Sequence, residues 1–197
     1  MQDRAWGYRI GRFASLAGAW RVWNVKRLFI AIMMAAVVAI GFGGVAASAS
    51  ANKLQTFGTG AVTVTSADSA IIVNGAGEYG GVYINSRSQS AKPLNAVHFS
   101  FDSNGDSTGG APRFSIPIDD GTGVLKYAFI GVLNCGYTTG PVSTDLPNCM
   151  VNFNSVDYAD WDAFASVNPT FRIAPGQIPF IIADEPGSYA VSNIDLR

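Results

Sequence analysis

Between Asn95 and Asp120 the chain reads NAVHFSFDSNGDSTGGAPRFSIPIDD, two runs of apolar–polar alternation on either side of a polar, glycine-rich stretch. A period of two fits a half-buried β-strand and does not fit a helix. Val97, Phe99 and Phe101 share one face and His98 and Ser100 the other; after the turn, Phe114, Ile116 and Ile118 oppose Arg113 and Ser115. The stretch predicts the central hairpin of a β-sandwich.

Short strands separated by turn chemistry continue along the chain. The candidates are 61–65, 69–74, 81–85, 95–101, 113–118, 124–133, 150–154, 170–173, 178–183 and 188–196. Punctuation such as NGAGEYGG, SNGDSTGG and DDGTG at this spacing signals an all-β sandwich. Residues 124–133 are apolar on both faces, as in a central strand. Pro117 and Pro179 lack an N–H and belong on edges or at strand starts. One segment departs from the pattern: in 155–168 Tyr158, Trp161 and Ala165 fall at helical spacing and Pro169 ends the run, predicting one short helix with Asp157 as its cap and Asp160 three residues on.

The N-terminus is a different kind of sequence. Residues 1–27 hold six basic side chains against Asp3 alone, and residues 28–45 are apolar or small. A basic n-region followed by an h-region, then AASASA at 46–51, predicts a signal peptide cut after Ala49 or, preferably, after Ala51. The competing reading is an uncleaved anchor helix, since eighteen apolar or small residues just span a bilayer. The domain organisation is therefore a leader over 1–51 and one β-sandwich domain over 52–197.

Without the leader the chain keeps seven basic and thirteen acidic residues. Nucleic acid is excluded as a natural partner, because phosphate binding needs a basic face. The two cysteines, Cys135 and Cys149, both lie in the exported part, and an oxidising destination predicts a disulfide between them.

Several groups are candidates for chemistry. Asp102, Asn104 and Asp106 alternate along the glycine-rich stretch, an arrangement that suits a hard cation such as calcium, although Ser107 and Arg113 stand where an EF-hand has glycine and glutamate. A solvated turn whose Asp and Asn side chains bond their own backbone is the alternative. Asp157, Asp160 and Asp162 fit a first helical turn. Asp119-Asp120 and Asp184-Glu185 raise a glycosidase reading, which needs two carboxylates across a cleft. His98, the one histidine, has no G-x-S-x-G nucleophile elbow to serve. Tyr79, Tyr83 and Trp161 are the aromatic candidates for stacking on a sugar, with Arg113 as a polar contact; as a helix residue beside Tyr158, Trp161 has a core plug as its alternative reading.

Ser100-Phe101-Asp102, Gly110-Ala111-Pro112-Arg113-Phe114, Phe129-Ile130-Gly131 leading to Cys135, Asp184-Glu185-Pro186-Gly187 and the ending Ser192-Asn193-Ile194-Asp195-Leu196 resemble secreted bacterial β-sandwich proteins. The ending is similar to the last strand of galactose-binding-like jelly rolls, which include many carbohydrate-binding modules. The resemblance implies an antiparallel jelly-roll sandwich, glycan binding and a structural calcium; Ser192 stands where that family usually has an acid. The expectation is a secreted, non-catalytic module for a glycan or another cell-envelope surface, touching a membrane only through an uncleaved leader. A structural or assembly protein of the cell surface is the second reading, and a glycan hydrolase the third.

Overall fold

The computed structural model describes residues 54–85, 89–105, 107 and 109–197. The leader and Asp106 lie outside the described residues. Thirteen described strands run β1 Leu54–Gly58, β2 Ala61–Ser66, β3 Ser69–Asn74, β4 Gly80–Ile84, β5 Phe99–Gly105, β6 Arg113–Asp119, β7 Lys126–Gly131, β8 Gly140–Ser143, β9 Val151–Phe153, β10 Val156–Tyr158, β11 Arg172–Ile173, β12 Phe180–Ala183 and β13 Gly187–Leu196. The helix, α1, spans Trp161–Val167. Two antiparallel sheets result. One has eight strands in the order β1-β4-β12-β6-β7-β9-β10, with β11 also on β6; the other has five, β2-β3-β13-β5-β8.

The alternation read from the sequence decides what each strand turns inward. From β5 come Phe99 and Phe101, and from β6 come Phe114, Ile116 and Ile118, all at most 1% exposed. The Phe99 and Phe101 rings meet the Phe114 ring at centroid distances of 5.6 and 4.9 Å. These contacts cross from one sheet to the other, and here the expected hairpin is corrected. β5 pairs β13 and β8, while β6 pairs β12, β11 and β7. The two strands are layers, not neighbours. Two alternating runs look the same in sequence whether their apolar faces lie side by side or oppose each other.

The strand that does form a hairpin with β6 is β7, with Asp119 and Asp120 accepting from the Gly121 and Thr122 amides in the connection. Asp120 also pairs with Lys126 across the hairpin. The Lys126 ammonium and the Thr122 hydroxyl hold the Asp120 carboxyl down at about 2. Pro117 sits in a central strand rather than on an edge. It is tolerated because the ladder on that side is interrupted between β12, whose pairing along β6 reaches only to Ser115, and β11, whose pairing begins at Ile118; the Ala174 amide donates to the Pro117 carbonyl in the gap.

Helix α1 starts one residue beyond Asp160, whose carboxylate accepts from the Ala163 amide at 2.7 Å, so the cap is Asp160 and not Asp157. Tyr158 belongs to β10 instead. Trp161 and Phe164 point into the core, where Trp161 meets Phe99. A disulfide joins Cys135 to Cys149, tying the 3-10 turn after β7 to the chain entering β9.

Candidate functional site

Cross-strand partners in a sheet share a face, so register shows what the eight-stranded sheet presents outward. Phe180 is opposite Tyr83 on one side and Ser115 on the other, and Ser115 is opposite Phe129. Pro117 is opposite Tyr127, and Phe57 lies over Gly81, where a Cβ would fall within 2.6 Å of its ring. Five rings on four strands thus occupy the side away from the core. Phe57 and Tyr83 have centroids 4.5 Å apart, Tyr83 and Phe180 5.7 Å, Phe180 and Tyr127 5.5 Å, and Tyr127 and Phe129 6.4 Å. The rings form a continuous strip across the strands.

The strip explains why β6 is buried on both sides. Ser115 and Pro117 point outward yet are covered, and the Ser115 hydroxyl is without a hydrogen-bond partner beneath the rings. The rings also shield each other's polar ends. Desolvation, and then the neighbouring Tyr79, raise the Tyr83 phenol above its ordinary pKa; desolvation and then Tyr83 do the same to Tyr127.

At one end of the strip Arg113 lies with its guanidinium carbon 5.4 Å from the Phe129 ring centroid. Its two terminal nitrogens donate to the two Asp184 oxygens at 2.5 and 2.6 Å, a bidentate pair that fixes the plane of the guanidinium. Toward β9 and β10, Asn152 lies opposite Phe129 and donates to Asp157 at 2.6 Å.

Of the expected contact residues, Tyr83 and Arg113 stand on this face. Tyr79 is just before β4, its carbonyl accepting from the Thr59 and Gly60 amides. Trp161 is a correction: it is 2% exposed, and its indole N–H donates to the Leu94 carbonyl at 2.9 Å, so neither of its faces is offered to a ligand. Phe57, Tyr127, Phe129 and Phe180 are the members that sequence reasoning did not select. The signal available for them was parity within each strand, but parity cannot say which strands become neighbours.

Asp102 and Asn104 stand on β5, which stays extended through Gly105, and not in a turn. Asp102 accepts from Asn193 at 2.7 Å, and Asn104 donates to Ser192 at 3.3 Å, both on the adjoining β13. Among the described residues no three His, Cys, Asp or Glu side chains gather closely enough to hold a metal. His98 pairs with Asp145 at 2.6 Å, both about half exposed, with Arg197 at 3.9 Å from the same carboxylate. The described hollow, about 360 Å3 beside α1 and lined by Leu94, Asn95, Asp162 and Ser166, is on another part of the domain from the rings. No aromatic ring lines it, so the aromatic face is the stronger candidate for stacking on a flat ligand. No family model, curated protein or solved structure matches this chain.

Proposed function

We propose that this chain is an exported, non-catalytic binding module of jelly-roll type whose aromatic sheet face takes a glycan of the cell envelope or its surroundings. The strand orders β3-β13-β5-β8 and β4-β12-β6-β7 support the jelly-roll reading, since each sheet alternates early and late strands as a doubled-over hairpin does. The basic and apolar leader and the disulfide support export.

The observation that carries the binding reading is the strip of five rings on the outward side of a rigid sheet. Neighbouring strands lie about 4.8 Å apart, so from β1 to β7 the strip spans about 19 Å, the length of several sugar rings in a row. Sugar rings present flat C–H faces bordered by hydroxyls. Aromatic faces meet the first, and Arg113, Asp184, Asn152 and the Tyr83 and Tyr127 hydroxyls meet the second.

The composition of the strip favours a second reading as well. Phe57, Phe129 and Phe180 carry no hydroxyl, and rings beside an arginine are the usual anchors of protein interfaces. In that case the domain is a structural protein that associates through this face. A glycan array followed by titration separates the two. Glycan binding by the monomer, weakened about tenfold or more in Tyr83→Ala with Tyr127→Ala (about 1.4 kcal/mol for each tenfold), supports the module. Absence of any glycan hit, with self-association that the same substitutions abolish, supports the structural protein instead.

A further inference from the structure

We infer that the aromatic face selects neutral glycans over anionic ones, and that the Arg113–Asp184 pair sets this selectivity; the inference rests on the glycan-binding reading above. Register places Arg113 and Arg172 on the outward side of the sheet together with Asp119 and Asp157, and Asp184 joins them through Arg113. Carboxylates therefore outnumber cations here. The cation nearest the rings is already taken, since both terminal nitrogens of Arg113 are held by the two oxygens of Asp184.

A uronate, sulfate or phosphate arriving at the strip would have to displace Asp184 from a bidentate pair, and would do so among like charges. A hydroxyl asks for less. The guanidinium has five N–H donors, and each carboxylate oxygen keeps a free lone pair, so the intact pair offers fixed donors and acceptors with no net charge. A sugar hydroxyl both donates and accepts, and it can bond to both members without separating them. The Arg113 guanidinium lies over the Phe129 ring, which holds that donor set at the end of the aromatic strip.

The experiment is titration of the full chain with two neutral polysaccharides, a β-glucan and a mannan, and two anionic ones, polygalacturonate and hyaluronan, at low and high salt. Expected is binding of a neutral chain, insensitive to salt, with anionic chains weaker by about tenfold or more. In Asp184→Asn the Arg113 charge is released, and affinity for the anionic chains rises by about tenfold and becomes salt-sensitive. The double variant Arg113→Gln with Asp184→Asn, which keeps the face uncharged at this point, retains the neutral preference. Salt-sensitive preference of the unmodified chain for an anionic polysaccharide overturns the inference and leaves the glycan reading standing. Binding of none of the four, together with an empty glycan array, overturns the glycan reading itself. Unchanged selectivity in a folded Asp184→Asn removes the pair from its role.

Discussion

The outward sides of the two sheets have the same geometry and carry opposite kinds of side chain. On the five-stranded sheet, register aligns Thr63, Ile71, Ala190 and Asn104 in one row and Val73 with Ser188 in the next. These side chains are small or stand singly, and Ile71 and Val73 are 40% and 45% exposed. On the eight-stranded sheet the corresponding side carries rings that pack on one another until Phe180 is only 8% exposed and the Ser115 hydroxyl beneath them is sealed from water. Both sheets contribute apolar residues to one core, so an apolar inward side does not distinguish them. The difference lies in what each sheet does with the side the core does not need. Rings already held by their neighbours lose little conformational freedom when a ligand covers them, which is the property a binding face requires.

Three substitutions sharpen this contrast. The largest effect belongs to the layer both faces share. Phe114 is fully buried against Phe99 and Phe101, and Phe114→Ala is expected to lower stability by about 3–5 kcal/mol through lost burial and a residual cavity. Denaturant unfolding measures it, and a loss under 1 kcal/mol would mean that the two sheets do not meet at this ring.

An intermediate effect is confined to the hairpin that carries Tyr127 and Phe129. The folded-state pKa of Asp120 is lowered to about 2 by Lys126 and Thr122, so its stabilisation is complete above the ordinary carboxylate pKa and is lost as pH falls through 2. Asp120→Asn should therefore be less stable than the unmodified chain at pH 5, with the gap closing as pH falls through about 2. Parallel pH profiles, with a constant gap between the two proteins, would contradict the pairing.

The smallest effect is on the sparse face. Ile71→Thr replaces an exposed side chain and is expected to change stability by no more than about 0.5 kcal/mol and to leave glycan affinity unchanged. Reduced affinity with unchanged stability would move the binding face to the other sheet.

Much of the strand pattern was legible beforehand. Residues 69–74 coincide with β3, and 61–65, 113–118 and 188–196 each match β2, β6 and β13 to within one residue at either end. Those strands have one apolar side and turn residues at both ends, so local chemistry settles them. β1, β8 and β10 carry too little pattern to be read locally, because Leu54–Gly58, Gly140–Ser143 and Val156–Tyr158 are only five, four and three residues long. Each is held by its partner strand more than by its own pattern. The candidate site is legible in sequence only in part: Tyr83 and Arg113 suit a ligand by their chemistry, Trp161 suits one equally and lies in the core, and nothing local singles out the other four rings. Chemistry names residues that would suit a ligand, but exposure and company are properties of the pairing.

By itself the sequence determined the class of fold, the inward set of Phe99, Phe101, Phe114, Ile116 and Ile118, and the partnership of Cys135 with Cys149, since alternation, turn residues and cysteine count are all local properties of the chain. Only the tertiary structure decided that β5 and β6 face each other across the core, and that Phe57, Tyr83, Phe180, Tyr127 and Phe129, spread over more than a hundred residues of sequence, form one strip. The physical reason is the same in both cases. A strand's alternation specifies which side of it is apolar, but strand pairing depends on the packing of the whole domain, and pairing is what brings distant outward side chains together.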